Sequence, residues 1–123
     1  MNVLLVDDSK TMRNIQKKVL EGLGNVQFTE AADGLEAMNA INAAPGSFGL
    51  ILIDWNMPNM DGITLVARIR AGDKKTPLIM VTTESEKSRV IEAIKAGVNN
   101  YALKPFTPDA LIEKVKQTLA KAA

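Results

Sequence analysis

Three unbroken apolar quartets punctuate the chain: Val3 to Val6, Leu50 to Ile53 and Leu78 to Val81. Short continuous runs of Val, Ile and Leu are what parallel strands covered on both faces require. The segment from Val26 to Ala31 alternates apolar with polar residues instead, which predicts a half-exposed strand. Tyr101 to Leu103, after Asn99 and Asn100, predicts a further short strand. The two weaker strands are expected at the sheet edges, with the three quartets between them.

Helical spacing fills the intervening stretches. Met12, Ile15, Val19, Leu20 and Leu23 share a face, with Ser9 as N-cap and Gly24 as the stop. Asp33 with Glu36 reads as a capping box for a helix that buries Ala37, Met38 and Ile41 before Pro45 and Gly46. Asp61 is expected to cap a third helix carrying Leu65, Val66 and Ile69, and Ser85 a fourth that ends at Gly97. Thr107 before Pro108 opens the last helix, with Leu111, Ile112, Val115 and Leu119 on one face. Strands alternating with helices in this way predict an α/β fold: a doubly wound (βα)5 sandwich of flavodoxin-like type with right-handed crossovers. Edge placement of the second and fifth strands gives a five-stranded parallel sheet of order 2-1-3-4-5. In such sheets ligands bind beyond the carboxyl ends of the strands, at the switch point between strands 1 and 3.

Those ends carry reactive groups. Strand 1 runs into Asp7 and Asp8, strand 3 into Asp54, strand 4 into Thr82 and strand 5 into Lys104. Taken singly, each has a plainer reading: a loop start or helix cap for the acidic pair, a turn for Asp54, a polar loop for Thr82, a solvated lysine for Lys104. Their coincidence at the same edge of the sheet favours a site. Three carboxylates held together repel one another unless a cation intervenes. Oxygen ligands suit a hard ion, and magnesium in particular takes few protein ligands, several waters and a phosphate oxygen. A carboxylate nucleophile attacking a phosphoryl group needs such a cation, a lysine and a hydroxyl to hold the equatorial oxygens.

Composition narrows the chemistry further. The 123 residues fit one domain with one core, and the 46% apolar and 24% charged fractions are ordinary for a globular protein. A net charge of +1 gives no bulk attraction to nucleic acid or membrane. Neither an apolar run of membrane-spanning length nor a charged-then-apolar leader is present. Cysteine is absent, excluding disulfides and thiolate metal sites and matching a reducing, cytoplasmic setting. Histidine is absent too, excluding imidazole bases and ligands.

The motifs VLLVDDS (residues 3–9), DWNMPNMDG (54–62), VTTES (81–85) and YALKPF (101–106) then carry a resemblance. Over essentially its whole length the chain resembles the receiver domains of two-component response regulators, and the stretch from Asp54 to Gly62 resembles the chemotaxis group among them. The resemblance implies that Asp54 is the phosphoacceptor. Asp8, Asp54 and the main-chain carbonyl of Asn56 would bind Mg2+ directly, with Asp7 acting through water. Lys104 would pair with a phosphoryl oxygen, and Thr82 would swing to hydrogen-bond another. Tyr101 would be the aromatic gate that follows Thr82, and Asn56, Thr83 and Glu84 would tune hydrolysis. The Lys104–Pro105 bond is expected to be cis. One departure stands out: Thr83 replaces the small alanine or glycine usual after Thr82, and its branched side chain is expected to narrow access to the site.

The same resemblance implies a module rather than a conventional enzyme. A histidine kinase would be the phosphodonor, with a downstream protein target, the flagellar motor switch as one candidate, and a phosphatase as a further partner. The chain is expected to be a monomer comprising a single receiver domain over 1–123 without an output domain. Its partner surface would lie on helix 4, strand 5 and helix 5, with Lys87, Val90, Lys95, Tyr101 and Lys114 as candidates; a solvated helix face is the plainer reading of those lysines. Trp55, the sole tryptophan, reads as a partly exposed aromatic without a chemical role. Two rivals share the broad chemistry. Magnesium-dependent phosphohydrolases of the haloacid dehalogenase type resemble one another in a D-x-D nucleophile loop, whereas Asp54 is followed by Trp55 and Asn56. A flavin-binding module needs a phosphate-cradling first loop, and Asp7 and Asp8 would repel a phosphate.

Overall fold

The computed structural model describes residues 1–122. Its strands are β1 (Asn2–Val6), β2 (Gln27–Ala31), β3 (Phe48–Ile53), β4 (Leu78–Thr82) and β5 (Asn100–Leu103). They alternate with α1 (Lys10–Leu20), α2 (Gly34–Ala43), α3 (Gly62–Gly72), α4 (Lys87–Ala96) and α5 (Pro108–Ala122). All strand pairs are parallel and the order is β2-β1-β3-β4-β5, as the hydrophobic pattern requires.

Alternation of side chains across the sheet divides the core into two layers. Leu4, Val6, Ile51, Ile53, Leu78 and Met80 pack beneath α2, α3 and α4, against Ala37, Leu65, Val66, Ile69 and Ala93. Val3, Leu5, Leu50, Leu52, Ile79 and Val81 pack beneath α1 and α5, against Leu20, Leu111 and Val115. The quartets are apolar throughout because both of their faces meet helices. β2, at an edge, keeps Gln27, Thr29 and Glu30 exposed.

Local chemistry sets the helix ends. Ser9 Oγ accepts from Met12 N at 3.1 Å, Asp61 Oδ1 from Thr64 N at 2.9 Å and Thr107 Oγ1 from Ala110 N at 3.1 Å, each satisfying a donor that the first turn leaves open. After α1 a 3-10 turn over Glu21–Leu23 carries the chain to Gly24, whose φ of 72° is the left-handed geometry a glycine supplies. Asp33 caps α2 through Glu36 N at 2.9 Å, but Glu36 reaches back to Ala32 N, one residue before the partner a capping box uses. The start of α4 corrects the expectation for Ser85. The cap position is Glu86, without a side-chain bond, and its carbonyl receives Arg89 N and Val90 N. Ser85 falls one residue outside because the preceding Glu84 is held by the site.

Candidate functional site

Register brings the strand ends level. Val6 pairs with Ala31 on one side and Ile53 on the other, so Asp7 and Asp54 leave neighbouring strands together. Their main chains continue the ladder for one residue: Asp54 N donates to Val6 O at 2.9 Å and Asp7 N to Ala31 O at 3.0 Å. On the other side Thr82 pairs with Leu103, and Lys104 N donates to Thr82 O at 2.9 Å. Asp7, Asp8, Asp54, Thr82 and Lys104 therefore gather at one edge, as their strand-end positions imply.

Asp7, Asp8 and Asp54 each place one carboxylate oxygen within 4.8 Å of the other two. Asp7 is 1% exposed and Asp54 8%, whereas Asp8 faces water. Lys104 Nζ donates to Asp7 Oδ2 at 2.6 Å and stands 3.3 Å from Asp54 Oδ2. Burial pushes the Asp54 carboxyl above its ordinary range, the Lys104 charge pulls it down, and the Asp7 charge pushes it up again. One ammonium thus fails to compensate the carboxylates packed around it. An all-oxygen donor set with excess negative charge and an exposed member fits a hydrated Mg2+.

The loop after Asp54 is folded tightly onto the strand end. Gly62 N donates to Trp55 O at 2.7 Å, and a Cβ on Gly62 would lie 2.2 Å from the Asp54 carbonyl oxygen. Only glycine permits that approach. Asn59, at φ 68°, donates to Asp33 Oδ2 at 2.8 Å and ties the loop to the start of α2.

Around this centre, Glu84 uses its amide, carbonyl and carboxylate on three neighbours. Its N donates to the fully buried Thr82 Oγ1 at 3.3 Å, its carbonyl accepts from Tyr101 Oη at 2.6 Å, and its carboxylate accepts from Asn56 Nδ2 at 3.4 Å. Tyr101 is 8% exposed, and burial raises its phenol above the usual value. Thr83 is exposed on the same loop, and the Lys104–Pro105 bond is cis.

Trp55 departs from expectation. It is 4% exposed, and Arg89 of α4 lies over the ring with its guanidinium carbon 5.2 Å from the centroid, an arrangement that favours a cation over a π face. The periodicity of α4 identifies its core stripe but gives no sign that a charged neighbour on its first turn covers an aromatic from another loop.

Beside the centre, a groove of about 630 Å³ runs between α4, β5 and α5, lined by Val90, Ile94, Tyr101, Leu103, Phe106 and Lys114 among others. It takes in three of the surface residues named from sequence, Val90, Tyr101 and Lys114; Lys87 and Lys95 are exposed outside it. Ile94 and Leu103, at 55% and 46% exposure, were legible only as apolar positions that the core does not use.

Residues 3–116 match the family described as the response regulator receiver domain. The chain belongs to that family. This receiver is 48% identical over 121 residues to the chemotaxis protein CheY1 of Helicobacter pylori, covering 97% of both chains. The receiver domain of the Francisella response regulator 1452 superposes with a TM-score of 0.87 at 34% identity, covering 99% of this chain and 98% of that one. The CheY of Borrelia burgdorferi, solved as a CheX-CheY-BeF3-Mg2+ complex, gives 0.90 at 28% identity over 95% of this chain and 87% of that one. The receiver is thus CheY-like, a response regulator rather than a conventional enzyme, and its cluster of Asp7, Asp8 and Asp54 is consistent with a receiver Mg2+ site. Among the described residues no helix is long and apolar enough to cross a membrane.

Proposed function

We propose that the chain is a stand-alone, chemotaxis-type response regulator that accepts a phosphoryl group on Asp54 and signals through changed partner binding. The observation that carries this reading is the placement of Lys104 between the buried carboxylates of Asp7 and Asp54, with Asp8 completing the cluster. A histidine kinase presents the phosphoryl group on an imidazole nitrogen. An Asp54 oxygen forms the new bond to phosphorus as the nitrogen–phosphorus bond breaks and its electron pair leaves with the imidazole. Asp8, Asp54 and the Asn56 carbonyl would hold Mg2+, with Asp7 acting through water. The bound ion supplies charge neutralisation for the phosphoryl oxygens. Lys104 turns from its two carboxylates toward one phosphoryl oxygen, and the Thr82 hydroxyl turns toward another.

Thr82 and Tyr101 both bond to Glu84, so moving Thr82 changes what holds the loop against which Tyr101 packs. This supports Thr82 and Tyr101 as the switch, and the adjoining groove as the surface that a downstream protein reads. A flagellar motor switch is the candidate target by likeness to chemotaxis relatives, and a CheX-like phosphatase is a further partner. Near-complete mutual coverage of the Helicobacter relative supports a single receiver domain over 1–123, and likeness to that chemotaxis protein supports a cytoplasmic module.

Intact-protein mass spectrometry tests the phosphoacceptor. With acetyl phosphate and Mg2+, the wild type gains one phosphoryl group and Asp54→Asn gains none. An equal gain in the variant would move the acceptor elsewhere.

A further inference from the structure

Arg13, on the second turn of α1, touches none of the reacting groups, yet it is bound to the backbone of the acidic pair. Its side chain is only 13% exposed. Nη1 donates to the Asp7 carbonyl oxygen at 2.5 Å, and Nε donates to Glu30 Oε1 at 2.9 Å. Lys17 Nζ takes the other Glu30 oxygen at 3.0 Å. The planar guanidinium therefore spans two strands, with one edge on the end of β1 and another on β2. Register explains why Glu30 is available: it pairs with Leu5, just before the acidic residues. Hydrogen bonds from Arg13 and then Lys17 hold the Glu30 carboxyl below its ordinary range, so the anchor is charged at neutral pH.

The Asp7 carbonyl is one end of the rigid peptide plane that continues into Asp8. Fixing its oxygen fixes that plane and the direction in which the Asp8 side chain leaves the backbone. This matters because the two aspartates are held differently. The Asp7 carboxylate is anchored by Ser9 N and Lys104, whereas among the described residues the exposed Asp8 carboxylate has no such anchor. Its presentation to a cation depends on the main chain beneath it.

We infer that Arg13, oriented by Glu30, is a positioning residue for the metal site: it holds the Asp7–Asp8 peptide so that Asp8 meets the divalent cation. The inference rests on the Mg2+ reading of the cluster. Two simpler roles make different demands. If Arg13 acted only through its charge, removing it would tighten cation binding and neutralising Glu30 would weaken it. If Arg13 only pinned α1 to β2, its loss would lower stability and leave the affinity of the folded protein unchanged.

Magnesium titrations followed by Trp55 emission separate these roles, run beside melts without metal and at a temperature where each protein is folded. Arg13→Lys keeps the charge but loses the two-edged geometry, Arg13→Gln loses both, and Glu30→Gln removes the anchor. Positioning predicts that all three bind Mg2+ more weakly, by about tenfold, at the lower end for groups that orient ligands. Changes of Kd in opposite directions for Arg13→Gln and Glu30→Gln overturn the inference, as does a wild-type Kd in Arg13→Lys. Should Arg13→Gln fail to fold, Arg13→Lys and Glu30→Gln decide the question. A wild type that itself shows no saturable response would instead remove the metal reading, separating the two failures.

Discussion

At its N-terminal end α3 presses Gly62 against the main chain of Asp54; at its C-terminal end it closes on Asp73, an aspartate with a full set of partners. Asp73 Oδ1 accepts from Lys75 N at 2.8 Å and Thr76 N at 3.1 Å, and the Thr76 hydroxyl bonds to Oδ2. Its carbonyl accepts from Arg70, which also bonds to Gly97 O and Asn99 Oδ1, stitching α3 to the loop before β5. Burial pushes the Asp73 carboxyl up, but these bonds, first that from Thr76, hold it below its ordinary range. Asp54 is displaced the other way, because burial and Asp7 outweigh what Lys104 returns. The same residue type thus serves as structure where its charge is satisfied, and as a reactive group where charge is left in excess.

The sharpest way to break the comparison is to add one methyl at each end of α3. At Gly62 the new Cβ would meet the Asp54 carbonyl oxygen and carbon at 2.2 and 2.9 Å, both main-chain atoms that cannot turn aside. Gly62→Ala is expected to destabilise by about 3 kcal/mol, the upper range for overpacking. At Gly72 nothing lies within 4 Å of the added atom, and Gly72→Ala should be neutral or stabilising by about 0.5 kcal/mol. Urea midpoints at unchanged slope measure both. Similar losses at the two glycines would show that the approach to Asp54 is not the constraint.

Asp73→Ala comes next, at about 2 kcal/mol, since it strips an acceptor from two amides and a hydroxyl. The pH dependence follows from the lowered carboxyl. Its contribution is present above the unfolded value near 3.8 and disappears as pH falls through the lower folded value. Melting curves of variant and wild type should therefore converge in acid. A gap that persists there would assign the effect to lost packing instead.

The fold was legible because burial on both faces leaves an unbroken apolar signature, as in Leu50 to Ile53, whereas the exposed edge strand keeps its alternation. The centre was legible for a related reason: strand order and the residue after each strand suffice to bring Asp7, Asp54 and Lys104 together. What stayed hidden depends on contacts between segments far apart in the chain. Ser85 has the chemistry of a cap, but Glu84 is already committed to Thr82 and Tyr101, and the helix starts later. Trp55 joins the core cluster with Arg89 over its ring, and the Arg13–Glu30 bond needs the register of β1 on β2. Helical or strand periodicity carries none of that information.

Neutralising Asp54 is a smaller stability change than Gly62→Ala or Asp73→Ala, and opposite in sign to both. With metal chelated, Asp54→Asn removes a buried charge while Lys104 keeps its 2.6 Å bond to Asp7, so the variant should be more stable at neutral pH by about 1 kcal/mol, an ordinary magnitude for one substitution. Because the folded Asp54 carboxyl is raised, its contribution is fully present below the unfolded value near 3.8 and is lost as pH rises through the folded one. The stabilising effect of Asn should therefore vanish in acid and grow toward neutrality, the mirror image of the stability loss at Asp73. Saturating Mg2+ should stabilise the wild type more than the variant by binding only the folded site, narrowing or reversing the gap. Thermal melts at acid and neutral pH, each with chelator and with Mg2+, supply the measurements. A variant less stable than wild type at neutral pH without metal would show that Lys104 satisfies Asp54 as fully as Thr76 and its neighbouring amides satisfy Asp73.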